Sequence, residues 1–265
     1  EHHFTGLSPQ LEELLEKNEE GVHPKSLANV LRLNQPVVIM DEAHNARTSL
    51  SFATLERFNP SAIVEFTATP ETTHKPESGY FASNVLHHVS AAELKSENMI
   101  KLPIHLRTRG DWREAVADAI KTQADLEALA LAEEKETGEY IRPIVLLQAQ
   151  SKSKDKDTIT VEVLEEELKT NFKVPENRIA VATGETRGID DMDLFDKDCP
   201  VRFIITVQAL KEGWDCSFAY VLCTVSEVST AKSVEQILGR ILRLPRAQRK
   251  THEALNCAQA DRKST

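Results

Sequence analysis

The sequence predicts an α/β protein built on parallel sheets with flanking helices, and three observations carry that prediction. Short apolar runs recur at 37–40, 62–66, 143–148, 178–182, 201–207 and 219–225. Most of them are near-continuous, as in strands covered on both faces of a parallel sheet. Stretches of helical periodicity lie between them, and strands that alternate with helices imply α/β units.

The elements follow in order. VVIM at 37–40 runs straight into Asp41, Glu42, Ala43 and His44. AIVEF at 62–66 runs into TATP. From about Glu71 to Arg142 only LPIHL at 102–106 reads as a strand, while 111–136, rich in Ala, Leu, Glu and Lys, reads as one long helix or two. PIVLLQ at 143–148 opens a second series. SKSKDKD at 151–157 is polar and reads as a loop, and TITVEVLEEELKT at 158–170 is amphipathic. RIAVA, VRFIITV and AYVLCTV then supply three more strands. In TAKSVEQILGRILR at 230–243, Val234, Ile237, Leu238, Ile241 and Leu242 share one stripe. A boundary is expected between Ser90 and Arg142. It divides the chain into 1–90, a helical connector at 91–140, and 141–265.

Composition narrows the function classes. The 265 residues suffice for two modest domains. No apolar run approaches a membrane span, and the first ten residues are polar, unlike a secretory signal. The four cysteines show no C-x-x-C spacing, which reads as a reduced, cytoplasmic protein. There is no H-E-x-x-H, so no protein-built zinc site is expected. The net charge of −10 argues against a generic nucleic-acid coat. Yet from Gly239 to Thr265 seven cations stand against two anions, so a +5 tail follows a −15 body. A local basic track and a solvated, ragged tail explain that tail equally well.

The chemistry concentrates where apolar runs end. Ligands in open α/β sheets sit at the carboxyl ends of strands. Asp41 there suits a Mg²⁺ that also touches nucleotide phosphates, and Glu42 suits the orientation or deprotonation of a water. The plain alternative is an exposed turn in which Asp41 caps a helix. Thr67 and Thr69 offer hydroxyls after the second run, with Pro70 as a breaker on the plain reading. Gly213 and Asp215 sit in TVQALKEGWDC after another run. Gln236, Arg240 and Arg243 fall near one helical face. Two arginines so placed suit a phosphate, although an amphipathic helix also carries such charge on its solvent side.

The order of these motifs is more telling than any one of them. VVIMDEAHN, VEFTATP, FIITVQALKEGWDC and VEQILGRILRLP resemble, in order and wording, the motor of superfamily-two helicases and translocases, and in particular the Res subunit of type III restriction enzymes. The resemblance covers most of 36–245. It implies two RecA-like units, the first truncated, with ATP in the cleft between them and double-stranded DNA as the track. It also implies Mg²⁺ as cofactor and a modification subunit, the methyltransferase and recognition component, as partner. By matching positions, Asp41 holds Mg²⁺, Glu42 activates water and His44 completes the box. Thr67 and Thr69 couple hydrolysis to movement. Gly213 and Asp215 are shared between nucleotide and nucleic acid. Gln236, Gly239, Arg240 and Arg243 form the motif in which the arginines are finger candidates. Gln148, Thr183 and Gly184 match positions that contact nucleic acid.

One expected part is missing. Phosphate binding in such motors uses a glycine-rich loop that ends in Gly-Lys-Ser or Gly-Lys-Thr, and none of the nine glycines is followed by Lys. The family's nuclease domain is also unmatched, since only a short tail follows Pro245. The sequence therefore reads as a fragment cut inside the first RecA-like unit. Two rivals remain: another superfamily-two motor, such as a type I restriction subunit or an RNA helicase, and a motor-derived scaffold without catalysis.

Overall fold

The computed structural model describes residues 3–46, 48–73, 82–152, 158–183, 188–189, 192–207, 216–225, 239 and 241–263. The chain divides into two compact units, Glu1–His88 and Val89–Thr265.

In the first unit, α1 (Pro9–Leu14) and α2 (Leu27–Asn34) precede β1 (Val37–Met40), and α3 (Ser49–Arg57) connects it to β2 (Ala62–Glu65). Ser26 and Thr48 cap α2 and α3 by accepting from the Asn29 and Ser51 amides. The buried Asn29 ties the unit's start together. Its Oδ1 accepts from the Glu16 N–H at 2.9 Å, and its Nδ2 donates to the carbonyls of Glu16 and Pro24 at 3.0 and 2.9 Å. The Arg57 guanidinium grips the Glu16 carboxylate with two bonds of 3.0 and 2.9 Å. That bond holds the Glu16 carboxyl below its ordinary range. β1 and β2 form a two-stranded parallel sheet.

The expectation that both strands are covered on both faces is not met. Val37 is 60% and Ile39 69% exposed. Two paired strands satisfy each other's backbone on one side only, and among the described residues of this unit the buried hydrophobic side chains are Leu15 and Ala43. So short a ribbon buries little by itself.

The second unit holds the core. After α4 (Ala91–Ser96) come β3 (Ile104–Arg109), α5 (Trp112–Thr137), β4 (Ile144–Gln148), α6 (Val161–Thr170), β5 (Ile179–Val181), β6 (Phe203–Thr206), β7 (Ala219–Thr224) and β8 (Ala258–Lys263). The sheet has the order β3-β8-β7-β4-β6-β5, and every neighbouring pair is parallel. β4, β6 and β7 are buried throughout, as their uninterrupted apolar runs require. α5 starts at Asp111, whose side chain accepts from the Arg113 amide, and stops at Gly138 in the left-handed conformation. Ala115, Ala119, Gln123, Leu126, Ala130 and Glu133 are buried at steps of three and four, so one face of α5 lies on the sheet. Leu164 and Leu168 do the same for α6.

Three differences from the sequence reading concern the layout. The unit boundary falls at His88, just before the expected interval. The segment at 91–140, expected as a connector, contributes β3 and α5 to the large sheet and its cover. Of the two readings of the basic tail, the solvated, ragged one does not hold: 258–263 forms β8 between β3 and β7. Its Asp261 side chain is fully buried and takes two bonds from Arg107, of 2.6 and 3.0 Å, which push the Arg107 guanidinium up. The stripe at 230–243 lies mostly outside the described residues; of its members Ile241 is buried and Leu242 half-buried. Among the described residues no helix is long and apolar enough to cross a membrane.

The approach to β8 is fixed from α5. The Glu133 carboxylate accepts from the amides of Thr251 and His252 at 2.8 and 3.1 Å. Burial alone would raise its pKa, but the bonds from these two residues outweigh it and hold the group below its ordinary 4.5. A depressed carboxyl contributes stability that is complete above its ordinary value and is lost as pH falls through the folded one. Glu133→Gln is therefore expected to lower stability by about 1–3 kcal/mol at pH 7, the worth of a charge-assisted bond. In urea unfolding, its deficit against the parent should shrink as pH falls below 4.5. A deficit independent of pH would contradict the assignment.

Candidate functional site at the strand ends

β1 and β2 are in register from Val37↔Ala62 to Met40↔Glu65. Parallel strands leave their sheet at one edge, so residues 41–46 and 66–70 emerge side by side. The pairing continues past the strands. The Phe66 N–H donates to the Met40 carbonyl at 2.8 Å, and the Ala43 N–H donates to the Phe66 carbonyl at 3.1 Å. Ala43 is wholly buried and begins the 3₁₀ turn Ala43–Asn45.

Glu42 turns the chain. Its φ of 48° and ψ of 44° are left-handed, an uncommon conformation for a residue with a Cβ and one found at functional sites. Its N–H donates to Asp41 Oδ1 at 2.9 Å, so Asp41 braces the turn rather than capping a helix. Glu42 Oε2 lies 3.2 Å from His44 Nδ1, and the same nitrogen lies 3.2 Å from Thr67 Oγ1. A carboxylate only accepts, so its contact assigns the hydrogen to Nδ1. Thr67 Oγ1 also accepts from the Thr69 N–H at 3.2 Å. Glu42, His44, Thr67 and Thr69 thus form one connected polar chain. The His44 side chain is 8% exposed and that of Glu42 53%. An enclosed ring sets the direction of a carboxylate that faces solvent.

The donor set fits a small hard cation. Asp41 and Glu42 are adjacent, exposed carboxylates at a strand's end, and Mg²⁺ is held by one or two carboxylates while keeping several waters. Among the described residues no group of three or more His, Cys, Asp and Glu side chains converges on a metal site.

The second unit has its own polar row at the carboxyl ends of strands. Gln148 is paired in register with Thr206 on one side and Thr224 on the other, and all three are buried. Thr224 Oγ1 donates to Gln148 Oε1 at 3.0 Å. Thr206 and Thr224 were not singled out from sequence, although each is a hydroxyl one place before the end of its apolar run. Thr183 is half-buried just past β5. Gly188 packs on that strand, where a Cβ would stand 2.8 Å from the Val181 carbonyl oxygen. Gly239 is helical and exposed, and Arg243 is exposed. Gly184, Gly213, Asp215, Gln236 and Arg240 lie outside the described residues.

Residues 11–72, which hold this whole strand-end cluster, match the family model described as "Type III restriction enzyme, res subunit". No curated protein matches the chain. Among solved structures, the chain is similar to the fragment of a protein described as an HsdR subunit of a type I restriction enzyme from Vibrio vulnificus YJ016. The TM-score is 0.52 and the identity 17%, over 90% of this chain and 46% of that one. At that identity the likeness is one of fold: parallel sheets flanked by helices, in keeping with a RecA-like architecture. The chain spans less than half of that relative's length. Two looser matches have TM-scores too low to define a shared fold. One is a variant of S. cerevisiae Dbp5 bound to a Gle1 variant and IP6, at 0.47 and 16% identity over 92% of this chain and 57% of that one. The other is the ATP-dependent Type ISP restriction-modification enzyme LlaBIII bound to DNA, at 0.44 and 14% identity over 85% and 18%.

The polar chain has a local test. Thr67→Val keeps the shape and removes the oxygen shared by His44 and Thr69. It should cost about 1 kcal/mol, the net worth of a typical hydrogen bond. Amide exchange at Thr69 should quicken while that of β4 stays unchanged. Unaltered exchange at Thr69 would remove Thr67 from the chain.

Proposed function

We propose that the chain is part of an ATP-driven motor that moves on double-stranded DNA, a superfamily-two translocase of the type III restriction Res kind. The observation that carries this reading is the Glu42–His44–Thr67 chain at the carboxyl edge of β1 and β2, within the residues that match the Res model. In this reading Asp41 holds the Mg²⁺ that neutralises charge on the phosphates of ATP. Glu42 takes a proton from the attacking water at its carboxylate. His44 keeps that carboxylate in one direction through Nδ1. Because the same nitrogen touches Thr67, a change at Glu42 is felt in the 66–70 segment, which is the coupling role assigned to Thr67 and Thr69. Arg240 and Arg243 are the finger candidates, with Gln236 and Gly239 in the same segment and Gly213 and Asp215 serving nucleotide and nucleic acid together. Thr183 and Gly184 contact the DNA backbone. Gln148, buried and bonded to Thr224, orders the carboxyl ends of β4 and β7. A modification subunit is the partner this reading calls for.

The carboxylates fit the cation, but the phosphates of ATP have no Gly-Lys cradle among the 265 residues. Much of the nucleotide affinity of such sites comes from that lysine and the backbone amides around it. The 265-residue chain is therefore expected to hydrolyse ATP negligibly, with or without DNA, in a steady-state assay. Turnover that survives stringent purification and vanishes in Glu42→Gln would contradict this. In an ATP-hydrolysing form of the protein, Glu42→Gln should lower turnover by about a hundredfold or more with little change in nucleotide affinity. Parental turnover in that variant would remove Glu42 from the chemistry.

A further inference from the structure

Lys101 lies far in sequence from the strand-end motifs, yet it is wholly buried in the second unit. Its Nζ donates to the carbonyls of Ser217, Ala219 and Ile241 at 2.9, 2.8 and 2.7 Å. The ammonium also stands 4.2 Å from the centroid of the Tyr220 ring, within cation–π range. A buried ammonium is costly unless its donors are met, and Met or Leu would fill the same space without that cost. The position of the three acceptors gives the reason for a lysine.

These carbonyls belong to two separate segments. Ser217 lies in the turn just before β7 and Ala219 begins the strand, after the sequence stretch that carries Gly213 and Asp215. Gly239, Ile241 and Leu242 are helical, and Arg243 follows them outside the helix. The last carbonyls of a helix lack partners within it, and a cation there also meets the negative end of the helix dipole. The backbone adds to the clamp. The Lys101 N–H donates to the Leu242 carbonyl at 2.5 Å, and the Leu244 N–H donates to the Met99 carbonyl at 2.9 Å. Ile100 and Arg243 stand opposite each other in an antiparallel bridge. Both neighbours of Arg243 are thus pinned to 99–101. Leu244 is buried and Arg243 exposed.

We infer that Lys101 is a positioning residue for Arg243: it caps the helix that ends just before that arginine, ties that end to the start of β7, and so fixes where the arginine leaves the surface. The inference rests on the proposed phosphate role of Arg243. Lys101→Met keeps the aliphatic stem and removes the ammonium, and Lys101→Arg keeps a charge with different geometry.

Amide exchange of the 265-residue chain reads the clamp, and ATP turnover of an ATP-hydrolysing form reads its consequence. In Lys101→Met, exchange at the Lys101 and Leu244 amides should quicken about tenfold or more while β4 and β6 amides are unchanged. The kcat should fall about tenfold with KM within about twofold, the pattern of a contact made in the transition state. Lys101→Arg should recover part of both. In an Arg243→Ala background, Lys101→Met should cost nothing further, because residues that act through one another are not additive. Unchanged exchange at Lys101 and Leu244 would overturn the clamp. An additive loss of turnover would overturn the positioning role, because Lys101 would then act on stability alone. Parental turnover in Arg243→Ala, with quickened exchange in Lys101→Met, would refute the phosphate reading and leave a purely structural brace. Should Lys101→Met fail to fold, Lys101→Arg decides by the same comparisons: intermediate exchange and kcat support the inference, and parental values of both overturn it.

Discussion

Parallel strand pairing is the constraint on which each unit depends. Strands that run the same way leave their sheet at the same edge, so their outgoing loops are neighbours whatever their separation in sequence. In the first unit the four-residue pairing of β1 with β2 brings His44 to Thr67, 23 positions later. A slip of one residue would turn the alternate faces over and part the two. In the second unit the same rule aligns Gln148 with Thr206 and Thr224. Apolar residues fill the strands and polar residues collect where the strands end. The left-handed turn at Glu42 then redirects one carboxylate onto the ring that holds it.

The second unit admits polar groups to its interior, where they join distant segments. Lys101 links 217–219 to 241. Asp261 anchors β8 to Arg107 on β3. Glu133 receives the 251–252 backbone. The Lys250 ammonium is buried against the Glu139 carboxylate and the Pro245 carbonyl. Removing one partner of a buried ion pair typically costs about 3–5 kcal/mol, because the other charge is left unmet. Such contacts fix the path of 241–263 together with its buried apolar residues, Ile241, Leu244, Leu255 and Ala258 among them. They are also why the basic end of the chain is ordered rather than solvated.

Much of this was legible in the sequence. Apolar runs located β1, β2 and β4 to β7, and helical periodicity located α5 and α6. β8 was not legible: AQADRK holds three charges, and only pairing between two neighbours makes it a strand. Its signal was faint, the alternation of Ala258 and Ala260, both buried. The open faces of β1 and β2 were misread because an apolar run records what a strand prefers to meet, not what covers it. The residues of the strand-end site were readable from DEAH and TATP. The double contact of His44 was not, since it needs the register. Lys101 was invisible because its partners are backbone carbonyls more than a hundred residues away, which no side-chain pattern records. A cation enclosed in MIKLPI was the one hint.

A motor built on this strand end requires its carboxylates to hold a divalent cation. Titration of the 265-residue chain with Mn²⁺, followed by NMR relaxation, measures this directly because a paramagnetic ion broadens nearby amides even when it binds weakly. The expected result is broadening centred on Asp41, Glu42, Thr67 and Thr69, reversed by excess Mg²⁺ and lost in Asp41→Ala. Broadening spread over the acidic surface, or unchanged in Asp41→Ala, would contradict it.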